Sequence, residues 1–418
     1  MDLSINRKNR YLTSNSMIGV YTRTDKQRSK NSVHKRLTWL DIAKGIGILA
    51  VICGHNMPDY ILNVQANRYW YDFIYWWHMP LFFLIGGFFL KPINLLDLKT
   101  VTTFLKKRVR PLLSSYFLAG LLLIIAYMLI HKTSVTYSLT YLLKLLYGGK
   151  TLSDYTTVFW YPETYLLGVM GTTIIISAIR LKPIQLIIAG SFVYWSTSYQ
   201  QLTNFKAFGV VTAPWDMDVA VLVMAYMLIG YNLFYFGKQY LTKWYIFLPA
   251  LLTVSWLFLQ LKNQKLSFSL FMRSHQFSGA YQHLSVGHNE LALMVGIIPV
   301  LCCLVIFGVS QIVAYSLEAT RSVAKIGLFP VRLIARILSV AGNHTLIMMY
   351  MHKMILDLLD VSHVTDSYWL QVLIVATIPL IIGVFFKQYQ LARLVNSKLS
   401  NNRFNIAGLQ FIFSSQNF

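Results

Sequence analysis

Sixteen consecutive residues, from Asp41 to Asn56, read Asp-Ile-Ala-Lys-Gly-Ile-Gly-Ile-Leu-Ala-Val-Ile-Cys-Gly-His-Asn. A stretch this apolar enters a bilayer, where every backbone N–H and C=O has to find a partner within the chain, so it must be a helix or part of a closed barrel. It nevertheless carries Lys44 near one end and His55 near the other. Eleven residues of helix advance about 16 Å and return to within about 20° of the starting direction, so both side chains project from one face at two depths. Ionisable groups in a span are costly and usually face a protein interior or a watery cavity. The plainer reading is a snorkelling Lys44 and a His55 that is merely hydrogen-bonded.

Composition places the rest of the chain in the same solvent. Hydrophobic residues make up 56% of the 418 and charged residues 12%, with a mean hydropathy of +0.52, which is far from a soluble domain. The formal charge of +22 could point to nucleic acid, but that reading needs a basic folded surface, whereas here Lys and Arg sit between apolar segments. Cys53, Cys302 and Cys303 all lie in apolar segments without metal-ligand spacing and read as small core residues.

The chain reads as an all-α polytopic bundle of about ten spans. Residues 1–36 are polar and basic, with no apolar run before a small-residue cleavage site, and are expected to be a disordered cytoplasmic segment suited to an anionic leaflet. Spans are expected near Trp39–Met57, Tyr69–Leu90, Arg110–Ile130, Val158–Ile179, a short Ile184–Ser196, Asp218–Phe234, Trp244–Leu261, Leu291–Tyr315, Asn343–Leu359 and Tyr368–Phe386. Residues 37–386 thus form the membrane domain, and 387–418 a basic cytoplasmic tail. The second span contains Pro80, a candidate kink, and the pair Gly86-Gly87, which permits close helix contact. With the N-terminus inside, about 27 Lys and Arg fall on cytoplasmic segments and about 8 outside, the bias expected of inner loops. Arg321, Lys325, Arg332 and Arg336 share one helical face opposite Ile326, Phe329, Leu333 and Ile337, which reads as an amphipathic helix on the inner leaflet, with contact to an anionic cofactor as the alternative.

Phosphate loops, dinucleotide fingerprints, His-Glu-x-x-His and Gly-x-Ser-x-Gly patterns are all absent. His275, His283, His288 and Glu290 lack diagnostic metal-ligand spacing and read as a solvated outer loop; no metal is expected. What remains is a set of polar groups within spans: Lys44, His55, His78, Glu163, His344, His352, Lys353 and Asp357. Two histidines at similar depth, His55 and His78, could meet in one cavity, and imidazole is suited to take a proton from a hydroxyl near neutral pH. The basic run Lys106-Lys107-Arg108-Val109-Arg110 at the inner mouth is suited to phosphates. Together these suggest transfer of a group from a phosphate-bearing donor inside to an acceptor near the outer side.

The run Arg36 to His55 resembles the opening of the membrane-bound acyltransferase-3 family, with a basic residue, ten others and a histidine on the first helix. With His78-Met79-Pro80-Leu81-Phe82-Phe83 it is similar to the fucose 4-O-acetylase-like branch. Further likenesses are the basic-x-x-Arg element at Lys107 and Arg110, Pro214-Trp215-Asp216-Met217-Asp218 leading to Gly230-Tyr231, and Gly342-Asn343-His344-Thr345-Leu346 with Tyr350 and His352. The likeness covers about residues 35–386.

The resemblance implies a plasma-membrane O-acetyltransferase that takes acetyl from cytoplasmic acetyl-CoA to a hydroxyl of a cell-surface or lipid-linked carbohydrate. It implies His55 as the catalytic residue, Lys44 along the same pore, and Lys107 and Arg110, flanking Arg108, at the coenzyme. A thioester is already activated, so the site chiefly needs a base for the hydroxyl and a donor for the oxyanion. His55 is the expected base, with His78 as helper, and Asn343, His352 and Glu163 are weaker candidates for orientation or substrate contact. Membrane lipids and the saccharide are the expected partners; nucleic acid is not. The competing readings are an exporter of a lipid-linked saccharide, which would favour a repeat and broken helices, and a polysaccharide polymerase.

Overall fold

A computed structural model describes residues 37–62, 68–199, 206–318 and 329–399. The chain divides into two units, Met1–Thr38 and Trp39–Phe418. The fold is mostly helical, at 79%. Among the described residues six helices are long and apolar enough to cross a membrane, and a bent pair makes a possible seventh. They include α1 (Thr38–Leu62), which carries Lys44 and His55.

The expected second span is two helices, α2 (Arg68–Tyr75) and α3 (His78–Phe88). The break falls at Trp76-Trp77, where the N–H of Trp77 reaches only three residues back, to Ile74 O. It precedes Pro80, which sits in the first turn of α3, where its missing N–H costs nothing. Every residue of α3 is buried, as a helix apolar on all sides must be. It packs between α7 (Trp160–Ala178) and α9 (Met217–Gly237). The α3–α9 crossing is a backbone contact: a Cβ added to Gly87 would meet Met227 O at 2.1 Å, and one added to Gly230 would meet Leu84 O at 2.1 Å.

Downstream of α3, α4 (Leu98–Phe104) runs through a wide π-helical turn, Leu105–Val109, into α5 (Arg110–His131). Next come α6 (Val135–Tyr147), α7 and α8 (Lys182–Ser198). The expected spans at α2–α3, α7 and α8 are helical but are not among the six long apolar helices. The physical reasons differ. One is broken, α8 has 17 residues, and α7 buries Glu163, Thr164, Thr172 and Thr173 among its neighbours.

Between α10 (Trp244–Lys262) and α11 (His288–Glu318) the expected solvated loop is instead a three-stranded antiparallel sheet: β3 (Leu266–Phe271), β4 (Gln276–Tyr281) and β5 (Leu284–Ser285). Leu266, Phe268 and Leu270 are buried while Ser267 and Ser269 are not, the period-two pattern of a half-buried strand. Trp76 fastens the sheet to the α2–α3 break by donating from Nε1 to Phe268 O at 2.8 Å. A smaller two-stranded hairpin, β1 (Lys206–Ala207) and β2 (Val210–Val211), precedes α9.

The chain then forms α12 (Phe329–Asn343), α13 (Thr345–Ser362) and α14 (Tyr368–Leu399). Arg332 and Arg336 lie on α12, whereas Arg321, Lys325 and Ile326 fall outside the described residues, as do the N-terminal segment and the tail from 400. Between α12 and α13 the chain turns by 87°.

Gly230→Val should lower stability by roughly 1–3 kcal/mol, because a side chain there drives two backbones apart. A thermal melt in detergent checks this, with Gly190→Ala, where nothing lies within 4 Å, as the neutral comparison.

Candidate active site

Three cavities follow α1 from Lys44 to His55. The first, about 110 Å3, is lined by Lys44, Arg108, Asn343 and Thr345 among mostly apolar residues. Lys44 Nζ is held by Asp41 at 3.1 Å. Asn343 donates from Nδ2 to Ser339 O at 2.8 Å, and its buried Oδ1 has no hydrogen-bond partner among the described residues. The 87° turn brings the first turn of α13 to this cavity. A helix N-terminus carries partial positive charge, so a lysine, an arginine and a helix end converge here.

Arg108 reaches the cavity because of the π-helical turn. The N–H of Arg110 bonds five residues back to Leu105 O, and the added residue rotates the basic run relative to a regular helix. Pro111, next in line, has no N–H to hold a regular turn. Lys107 and Arg110 are exposed and do not line the cavity. Of the three expected coenzyme residues, Arg108 alone faces it.

The second cavity is a neck of about 60 Å3 lined by Ile48, Val51, Met79, Phe82, Tyr161 and Met349. Thr345 and Leu346 complete its lining; it shares Phe82, Tyr161, Thr345 and Leu346 with the first cavity and Met79 with the third. The third, about 400 Å3, is lined by both His55 and His78. The carbonyl of Ile74 can only accept, so Nδ1–H of His78 donates to it at 2.8 Å; the neutral ring then keeps its lone pair on Nε2. His352 stands behind His55, ring centroids 5.0 Å apart, and does not line the cavity. Its Nδ1–H donates to Met348 O at 3.3 Å, and its buried Nε2 has no partner among the described residues.

Glu163 is elsewhere. It is fully buried, accepting from Tyr116 Oη at 2.6 Å and from the N–H of Gly149 at 2.8 Å. It anchors the turn Gly148–Thr151, whose two glycines have positive φ (72° and 65°). That turn delivers Lys150 to the third cavity, and the β3–β4 turn delivers Arg273. Burial lowers the pKa of Arg273 while the carboxylates of Asp216 and Glu163 raise it; the guanidinium stays charged at neutral pH. Tyr71, Tyr75, Trp160 and Phe271 supply aromatic walls.

Sequence reasoning missed all six of these lining residues. The available signal was charge: Lys150 and Arg273 are basic residues that a count of Lys and Arg with the N-terminus inside assigns to outer loops. Among the described residues no three His, Cys, Asp or Glu side chains are grouped to hold a metal; His275 instead donates from Nε2 to Ser196 O at 2.8 Å.

Residues 37–388 match the family model described as an acyltransferase domain, Acyl_transf_3. The chain belongs to the acyltransferase-3 family. With its long apolar helices, this acyltransferase is a multi-pass membrane protein. No curated protein and no solved structure matches it.

In this acyltransferase Glu163→Ala should cost roughly 1–3 kcal/mol, since Tyr116 and Gly149 are left with unanswered buried donors. Glu163→Gln, which keeps an acceptor, should cost less. Denaturation monitored in detergent separates the two.

Proposed function

We propose that this acyltransferase is an O-acetyltransferase of the fucose 4-O-acetylase-like branch. It moves acetyl from cytoplasmic acetyl-CoA to a hydroxyl of a cell-surface or lipid-linked carbohydrate at the plasma membrane. The observation that carries this reading is the line of cavities along α1, cationic at Lys44 and Arg108, apolar in the middle and histidine-lined at the far end. The family assignment favours transfer over export or polymerisation.

The cationic end suits the phosphates of the coenzyme. Arg108 offers a guanidinium fork, Lys44 a point charge, and α13 its first N–H groups. The neck suits the slender pantetheine arm and excludes water from the thioester. Along α1, Lys44 and His55 stand about 16 Å apart, so the donor enters at one end and its acyl carbon meets the acceptor at the other. The aromatic walls of the third cavity suit the C–H faces of a sugar, as amphipathic rings do.

At the reacting centre His55 takes the proton of the acceptor hydroxyl as that oxygen attacks the thioester carbonyl carbon. The tetrahedral intermediate collapses with loss of the C–S bond, and the His55 imidazolium returns its proton to the departing thiolate. His78, its Nδ1–H held by Ile74 O, presents Nε2 to the same cavity. His352 positions His55 from behind, and Asn343 orients the donor rather than the acceptor. A ten-span arrangement with both termini cytoplasmic, α2–α3, α7 and α8 completing the bundle, places the cationic end inside.

His55→Ala should lower acetyl transfer by about 10²–10⁴-fold, the usual worth of a general base, while the protein still inserts and folds. Normal turnover of radiolabelled acetyl-CoA in that variant would sink the reading. Arg108→Ala should raise KM for acetyl-CoA about tenfold, the equivalent of one charged hydrogen bond. Lys107→Ala should do less, because its side chain is exposed; steady-state kinetics with the donor varied decides between them.

A further inference from the structure

We infer that the acceptor is anionic: the sugar that enters the third cavity carries a carboxylate or a phosphate, which Arg273 and Lys150 hold while His55 faces the hydroxyl. This rests on the transferase reading above and adds the substrate class.

Charge is the first argument. Arg273 and Lys150 line the cavity, and no acidic side chain does. Among the described residues neither cation has a carboxylate within the 4.0 Å of an ion pair. Cations that border a partly buried cavity with no acidic side chain lining it favour an anionic ligand there.

Construction is the second argument, because both cations are fixed by hydrogen bonds rather than left on mobile stems. Arg273 donates from Nη2 to Leu152 O at 2.7 Å, and its buried Nε has no partner among the described residues. Lys150 donates from Nζ to Ser274 O at 3.4 Å, and its backbone N–H donates to Thr212 Oγ1 at 3.0 Å. The turns bearing the two residues are thereby tied to each other. Glu163 anchors the Lys150 turn from below.

Asp216 supports the same arrangement from behind the wall. It is fully buried and lies within electrostatic reach of Arg273 and Lys150. It and the preceding Trp215 adopt positive φ, 46° and 54°, a strained conformation for such residues. Asp216 favours the charged guanidinium of Arg273 from behind the wall without forming an ion pair with it.

Distance within the cavity is the third argument. Arg273, Lys150 and His55 all line one cavity of about 400 Å3, within the roughly 300–1,000 Å3 of small-ligand sites. The anion and the reacting hydroxyl are therefore carried on one sugar or on adjacent ones. A neutral sugar would fill the aromatic walls and leave both cations unanswered.

The test is acetyl transfer by the purified full-length protein in nanodiscs, with acetyl-CoA as donor and three matched acceptors: a neutral hexose oligosaccharide, the corresponding hexuronic acid oligosaccharide and its phosphorylated counterpart. Products are read by mass spectrometry and donor consumption by thiol release. The expected result is at least about a tenfold preference in kcat/KM for one anionic acceptor, the worth of one charged hydrogen bond. Which of the two is preferred distinguishes carboxylate from phosphate. That preference should collapse toward one in Arg273→Gln and Lys150→Gln and be retained in Arg273→Lys, which also shows that the site still folds.

Equal use of neutral and anionic acceptors overturns the inference while leaving the transferase reading intact. A raised KM for acetyl-CoA in Arg273→Gln would assign the cations to the donor's phosphates and overturn it equally. No consumption of acetyl-CoA by the wild-type protein with any acceptor would remove the transferase reading itself, and this inference with it.

Discussion

A polar group placed among apolar helices has to be answered by another group of the same chain, and the architecture follows from the ways in which this is done. Asp41 answers Lys44 one turn away on α1, at 3.1 Å. Tyr116 and Gly149 answer Glu163. The carbonyls of Ile74 and Met348 each take one nitrogen of a histidine. Arg273 and Lys150, held by the carbonyls of Leu152 and Ser274 rather than by an ion pair among the described residues, border the third cavity.

The helices were readable because hydropathy along the chain is a strong signal, and α1, α5, α9, α10, α11 and α14 stand close to where apolar windows put them. The joint presence of Lys44 and His55 on one face was equally readable, since helix geometry alone places them. Two further features had a local signal that hydropathy averaging hides. The alternation Leu266, Phe268, Leu270 marks β3, and Trp76-Trp77 is the seam between α2 and α3. Averaging over a window erases a period of two and a break of two residues alike.

Other features depend on contacts far apart in sequence. Which member of the run Lys106 to Arg110 turns inward is decided by one wide turn, and spacing alone cannot place it. Glu163 looked like a substrate residue because it is an ionisable group in an apolar helix; its role as an anchor depends on Tyr116 and Gly149, 47 and 14 residues away. Arg273 and Lys150 come from two loops 123 residues apart, joined only because Leu152 and Ser274 offer carbonyls to them. Asn343 was expected as an orienting residue and stands at the Lys44 end because the chain turns by 87° beside it.

The neck between the two larger cavities has a consequence for the cell as well as for the reaction. A membrane sustains gradients of protons and other ions, and a protein with polar chambers at two depths is a potential short circuit between the phases on either side. At about 60 Å3, the neck is walled mainly by Ile48, Val51, Met79, Phe82, Leu346 and Met349, with Tyr161 and Thr345 its only residues bearing hydroxyls, so it offers water few hydrogen bonds. Apolar constrictions of this kind shed water and with it ionic conduction. The side chains that join the two larger cavities thus also insulate one from the other.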